Sequence, residues 1–201
     1  MGTGDPREKS SQYTHRVLTD RFSEALVYAA QIHREQKRKG TEIPYLAHLM
    51  SVASLALEHG ASEDEAIAAL LHDSIEDQGV TRDELTKKFG AKVAEIVWGC
   101  TDADTIPKPP WRARKEAYIA RILSEGAPVR LVSSADKLHN ARSILIDFRR
   151  HGDQVWSRFK GGKEGTLWYY RALVDAYREA GGTPILDELE RVVTELEQLA
   201  R

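Results

Sequence analysis

A single cysteine, Cys100, leaves the chain without the means for an intramolecular disulfide or a thiolate metal cage. Its expected role is that of a buried structural thiol, and a reducing, cytoplasmic setting is the simplest one for such a chain. There is also no apolar run near the roughly 18 residues of a membrane span. The opening stretch "MGTGDPREKSSQYTHR" lacks the apolar segment of a signal peptide. Neither sign of charge dominates. The 29 Lys plus Arg against 31 Asp plus Glu give a formal net charge of -2, which argues against a protein that holds nucleic acid by bulk electrostatics. Any anionic partner must therefore meet a local basic cluster.

What the chain has is helical periodicity. Its 201 residues, 41% of them hydrophobic, suffice for one well-buried domain. Residues 1–18 read as a flexible polar tail and 19–201 as one compact multi-helix domain. Phe22, Leu26, Ala29, Ala30 and His33 recur at spacings of three and four, and "REQKRKG" then closes that segment with basic residues and glycine. Leu46, Leu49, Val52, Ala53 and Leu57 repeat the pattern. Ser62 with Glu65, and Thr81 with Glu84, carry the capping-box spacing. The first of these predicts a helix running from Ser62 to about Asp77. Pro107, Pro109 and Pro110 forbid regular structure around Lys108, and a loop of that kind inside a helical domain is often functional. Helices follow over "RARKEAYIARIL", "VRLVSSADKLHNARSILIDF", "EGTLWYYRALVDAYREA" and the amphipathic "ILDELERVVTELEQLA". No segment reads as a strand, so the class is all-α.

The stretch "AIAALLHDSIEDQG" sets one imidazole and three carboxylates, His72, Asp73, Glu76 and Asp77, directly behind an apolar run. On one continuous helix, His72 would align with Glu76 and Asp73 with Asp77, next to the apolar stripe of Ile67, Leu71 and Ile75. An acidic surface face is the bland interpretation. Placement beside buried sequence points instead to carboxylates that need a cation, a shared proton or solvent. His-Asp alone leaves a metal mostly open, so further ligands must come from other helices. His48 in "PYLAHL" and Asp136 in "SSADKLHN" are candidates. Taken singly, His48 fits a histidine bonded at a helix start, and Asp136 a salt-bridge partner of Lys137 or Arg142. Together the four make a two-histidine, two-carboxylate set suited to manganese or iron.

The order His48, His72-Asp73, Asp136 resembles the ligand pattern of HD-domain phosphohydrolases. More narrowly, "RKGTEIPYLAH", "AALLHDSIED", "FGAKVAEIVWGCTD" and "ADKLHN" are similar to the hydrolase domain of the RelA/SpoT family, especially its stand-alone small alarmone hydrolases, over roughly residues 20–180. The resemblance implies one divalent ion, manganese in the family, on His48, His72, Asp73 and Asp136. It also implies a catalytic pair, Glu76 and Asp77, acting on the attacking water. Arg38 and Lys39 would flank the nucleotide, and Asn140 would lie near the ribose. The implied reaction is hydrolysis of the 3′-pyrophosphate of a (p)ppGpp- or (p)ppApp-type alarmone of the stringent response, releasing pyrophosphate.

Lys108 and Lys163 are further candidate phosphate contacts, and Lys37 could be a solvated bystander. Leu49 stands where long family members usually have proline, which should alter the helix start more than ligation. Trp111, Trp168, Tyr169 and Tyr170 could stack on a base or simply be core. The partner is thus expected to be a small nucleotide rather than nucleic acid or a membrane. A general HD-domain nucleotide phosphatase, an NADPH phosphatase and a non-cleaving alarmone sensor are the competing readings.

Overall fold

In a computed structural model, residues 18–102, 107 and 109–201 are described. The proposed tail through residue 17 and Lys108 therefore lie outside the described residues. The order is α1 (Asp20–Ile32), α2 (Leu46–Glu58), α3 (Glu63–Leu71), α4 (Ser74–Gln78), α5 (Arg82–Phe89), α6 (Ala91–Cys100), α7 (Trp111–Ile122), α8 (Ala127–His151), a 3-10 helix (Gly152–Arg158), α9 (Gly162–Glu179) and α10 (Leu186–Leu199). Among the described residues there is no β-strand, only an isolated antiparallel bridge between Lys37 and Pro44. None of their helices is long and apolar enough to cross a membrane.

Local sequence sets the helix ends. At Ser62 and Thr81 both reciprocal bonds of the capping box form, with Glu65 and Glu84 respectively. Gly79 ends α4 with φ 67°, a left-handed conformation that glycine adopts without a Cβ penalty. The Leu49 departure also has a local consequence. Its N–H donates to the Tyr45 carbonyl at 3.3 Å in the first turn of α2, a bond that proline could not make.

The buried helix α3 organises the interior. Ala66 through Leu71 are all essentially inaccessible, and α3 packs against α1, α2, α6 and α8. Each fully buried leucine there contributes about 1.5–3 kcal/mol relative to exposure. The spine is α8, whose 25 residues extend about 37 Å at 1.5 Å per residue. It touches α2, α3, α6 and α10. Gly99 lets α6 approach α8 closely, since a Cβ there would lie 2.7 Å from the Val129 methyls. On the far side, Leu189, Val192, Val193 and Leu196 of α10 are buried. Arg142 and Arg149 of α8 pair with Glu188 and Glu195 of α10 along the rim.

One helix boundary corrects the sequence reading. The helix expected to run from Ser62 to Asp77 breaks in two. His72 caps α3, Asp73 leaves the helical region at φ -99° and ψ 2°, and α4 restarts at Ser74. Adjacent side chains on a regular helix diverge by about 100°. Unwinding at Asp73 brings its carboxylate and the His72 imidazole to one point, while the Asp73 carbonyl still accepts the Asp77 N–H at 2.9 Å.

Candidate metal centre and the adjoining cavity

Three elements converge beside that break. His48 comes from the first turn of α2, His72 and Asp73 from the α3–α4 turn, and Asp136 from the middle of α8. His72 Nε2 lies 3.0 Å from Asp73 Oδ2 and 3.6 Å from Asp136 Oδ1. His48 Nε2 lies 3.2 Å from Asp136 Oδ1 and 3.8 Å from Asp73 Oδ2. Ligand atoms that share a first-row divalent ion at about 2.0–2.2 Å are separated by roughly 3–3.5 Å; the spacing here is at or slightly above that, and His48, His72 and Asp73 lie mutually close enough to hold an ion. Among the described residues both Nε2 atoms are buried without a hydrogen-bond partner, which a coordinated cation would resolve. A divalent metal fits this donor set.

The surrounding bonds fix which lone pairs point inward. His72 Nδ1 lies 2.8 Å from the Ala69 carbonyl, an acceptor only, so the proton sits on Nδ1 and Nε2 faces the carboxylates. His48 Nδ1 lies 2.8 Å from His139 Nδ1. Burial, then the neighbouring His48 and Arg38, push the His139 pKa down to about 4. A neutral His139 can therefore accept the His48 Nδ1 proton and leave His48 Nε2 as the ligand atom.

Tyr45 donates its phenol to Asp73 Oδ2 at 2.5 Å. Burial and the Asp73 charge raise the Tyr45 pKa, which keeps the phenol a donor. Lys137 donates to Asp136 Oδ2 at 2.6 Å, and Asn140 donates to Asp136 Oδ1. Burial alone would raise the Asp136 pKa, but the Lys137 ammonium and the two imidazoles hold it well below the usual carboxylate range. Burial alone would lower that of His72, yet Asp73 and Asp136 outweigh it and raise it. A proton and a metal cation thus compete for the same His72 lone pair.

A cavity of about 600 Å³ opens beside this cluster. Partly buried Arg38, Lys115, Lys137 and Arg158 line it together with exposed Lys39, Arg150 and Lys160, against the carboxylates of Glu76 and Asp147. A polyanion is the complementary ligand. Glu76 faces this cavity, and its Oε2 accepts the Asp102 N–H at 3.4 Å. Asp102 in turn holds Lys115 at 2.9 Å and pairs with Arg114, whose guanidinium is 4.0 Å from Glu76. Asp77 is not among the lining residues; its Oδ2 accepts from Gln36 Nε2 at 2.7 Å.

The remaining candidates separate cleanly. Arg38 donates to Asn140 Oδ1 at 2.9 Å, which ties the basic loop to α8, and Lys39 lines the cavity. Lys37 pairs with Glu42 at the surface. Lys163 pairs with Asp153 at 3.3 Å and is not a lining residue, whereas Lys160 is. Trp111, Tyr169 and Tyr170 line the cavity and also belong to or pack against the hydrophobic core, so the core role weighed for them is met. Trp168 instead lies under the Arg112 guanidinium, 3.2 Å from its ring centre. Cys100 sets its Sγ 4.0 Å from the Val129 carbonyl, and burial raises its pKa.

Reading by motif missed Tyr45, His139, Asp102 and Lys115, although each falls inside a quoted block; the Asp136–Lys137 pair it weighed does form. For Tyr45 and His139 the available signal was side-chain type close to a candidate ligand; Asp102 and Lys115 carried none. A phenol three residues before His48 and a histidine three after Asp136 can reach the ligands' outer atoms.

Comparison with known proteins decides the family. The HD domain model matches residues 25–167. The chain belongs to the HD-domain family. It is 40% identical over 137 residues to the zebrafish (Danio rerio) guanosine-3′,5′-bis(diphosphate) 3′-pyrophosphohydrolase MESH1, covering 67% of this chain and 72% of the relative. The human (Homo sapiens) MESH1 is 36% identical over 68% of this chain and 74% of its own length. The GTP pyrophosphokinase rsh of Brucella melitensis is 35% identical over 69% of this chain, but the match spans only 19% of that longer protein. Among solved structures, a metazoan ortholog of SpoT that hydrolyzes ppGpp superposes with a TM-score of 0.72 at 28% identity, over 90% of this chain and 96% of that one. The lmo0812 protein of Listeria monocytogenes superposes with a TM-score of 0.68 at 28% identity, over 75% and 99%. As an HD-domain hydrolase the chain belongs to a family that implies divalent-metal binding, and His48, His72 and Asp73 form a group that could hold such an ion.

Proposed function

We propose that the protein hydrolyses the 3′-pyrophosphate of an alarmone nucleotide, yielding the nucleoside 5′-di- or triphosphate and pyrophosphate, in the cytoplasm. The observation that carries this reading is the juxtaposition of a two-histidine, two-carboxylate centre with a cation-lined cavity of nucleotide size, with Glu76 facing that cavity. The MESH1 relatives are 3′-pyrophosphohydrolases by name, which supports it.

His48, His72, Asp73 and Asp136 would hold the ion, and the mixed nitrogen and oxygen donors favour manganese or iron, manganese being the choice here. When bound, such an ion supplies positive charge at the phosphoryl oxygens and lowers the pKa of a nearby water. Arg38, Lys39, Lys115 and Lys137 offset the substrate's phosphates and orient it toward the ligand cluster. Glu76 and Asp77 position the water and take its proton. The water oxygen bonds to the phosphorus attached to the 3′ oxygen, the 3′ O–P bond breaks, and the departing 3′ oxygen takes up a proton. Asn140, fixed between Arg38 and Asp136, is placed to meet the ribose. Trp111, Tyr169 and Tyr170 offer flat surfaces to the base.

The test is to incubate manganese-loaded protein separately with guanosine and adenosine 5′-diphosphate 3′-diphosphate, NADPH and simple 5′-nucleotides, and to identify the products. Pyrophosphate released from at least one 3′-pyrophosphate is expected. No turnover of either, with orthophosphate from NADPH or from 5′-nucleotides, overturns the reading in favour of a phosphatase.

A further inference from the structure

The segment between α1 and α2 folds back on itself at the Lys37–Pro44 bridge. Arg38 N–H donates to the Ile43 carbonyl at 2.8 Å, and Tyr45 N–H to the Gln36 carbonyl at 2.9 Å. Side chains of extended chain alternate in direction. Lys37 accordingly faces solvent, where it pairs with Glu42, while Gln36 and Arg38 on either side of it point the other way. Arg38 reaches Asn140; Gln36 reaches Asp77.

Two donors hold Gln36 from behind. His33 Nδ1 lies 2.6 Å from Gln36 Oε1, and Gln78 Nε2 donates to the same oxygen at 2.5 Å. An amide whose oxygen accepts twice cannot turn its NH2 that way, so Nε2 is committed to Asp77 Oδ2 at 2.7 Å. His33 is itself buried and stacks on Tyr45 with ring centres 5.5 Å apart, and the Tyr45 phenol bonds Asp73. Burial lowers the His33 pKa, so the ring stays neutral with one proton to give. One connected set of side chains therefore runs from the ligand Asp73 round to the carboxylate of Asp77, and Gln36 is its last member.

We propose that Gln36 is a positioning residue for the reaction, fixing the Asp77 carboxylate toward the attacking water, with His33 and Gln78 locking the amide. The proposal rests on the 3′-pyrophosphohydrolase reading above. It separates two functions of one short loop: Arg38 serves substrate binding and Gln36 serves turnover. The loop's closure uses the Gln36 backbone carbonyl and not its side chain, so Gln36→Met leaves the Tyr45 N–H bond and the Arg38 placement intact.

The experiment compares wild type and Gln36→Met, both loaded with manganese, on whichever 3′-pyrophosphate the wild type turns over. It measures kcat, KM and bound metal per chain. The expected result is kcat about 10- to 100-fold lower, the range for misplacing a reacting group by about an ångström, with KM within about twofold and metal content unchanged. Unchanged kcat overturns the proposal. So does a parallel change in kcat, KM and metal content, which would mark a merely structural role. A wild type without pyrophosphate release overturns the parent reading instead. Should Gln36→Met fail to fold, Gln78→Met removes one of the two locks from a half-buried position. It must then lower kcat alone by a smaller factor, and full activity there overturns the proposal.

Discussion

The ligand end of the site is dry and over-determined, whereas the cavity end is open and built from long cationic side chains. At the ligand end, His48 and His72 are almost fully buried, and each of the four ligand side chains has a second bond that fixes its orientation. Three elements hold it, and the chain breaks a helix at Asp73 to complete it. At the cavity end, Lys39 is exposed and Arg158, half-buried, pairs with Asp147 beside the opening. The difference follows from the two tasks. A cation needs donors held within tenths of an ångström, while a flexible polyphosphate tolerates a mobile ring of charge. The buried, doubly bonded side chains lie where an ion would bind, and the exposed cations lie where a polyanion would enter.

Substitution at each end should expose the contrast. Asp73→Asn removes the ligand charge and leaves one acceptor oxygen for the Tyr45 phenol and the ion to share. It should lower activity more than about a thousandfold, the several kcal/mol that such a centre supplies, and bound metal measured by elemental analysis should fall with it. Glu76→Gln sits where the two ends meet. Its kcat should fall about 10²–10⁴-fold, the usual contribution of a proton-handling group, with the metal retained. An equal loss of metal would place Glu76 with the ligands instead.

His139→Phe removes the acceptor that orients His48 while keeping a ring in place. Metal affinity, followed by competition with a chelator, should weaken about 10- to 100-fold; unchanged affinity would mean that packing alone orients His48. The mildest expectation is Lys160→Met among the exposed cavity cations. KM should rise about three- to tenfold at unchanged kcat, the loss of one solvent-accessible charged contact. A change in kcat there would show that the cavity end is as geometrically demanding as the ligand end.

The same division governed what could be read from the sequence. The fold class and the helices were legible because apolar spacing and two capping boxes are local signals, as at Ser62–Glu65 and Thr81–Glu84. The convergence of His48, His72, Asp73 and Asp136 was legible because the resemblance fixes their residue type and order. The helix break at Asp73 was not, since nothing in "LLHDSIED" disfavours continuing; the convergence of neighbouring side chains is a tertiary demand. The partners Tyr45 and His139 were hidden because a phenol or an imidazole near a ligand has many local uses. Of the cavity cations, Arg38 and Lys39 were legible through the resemblance, whereas Lys115, Arg150, Arg158 and Lys160 come from distant segments and were not; Lys163, which was named, pairs with Asp153 instead. Gln36 was hidden between the cations of "REQKRKG", where only the bridge at Lys37 reveals the alternation of its side chains.

The central claim is that the ligand cluster directs water to the phosphorus at the nucleotide's 3′ oxygen. Phosphorus NMR on the reaction of manganese-loaded protein with guanosine 5′-diphosphate 3′-diphosphate, and in parallel with its adenosine counterpart, reads this directly. The account predicts pyrophosphate and nucleoside 5′-diphosphate in equal amounts from at least one of them, with no orthophosphate, and loss of both signals in Asp73→Asn. Orthophosphate as the phosphorus product, or pyrophosphate release that survives Asp73→Asn undiminished, would contradict it.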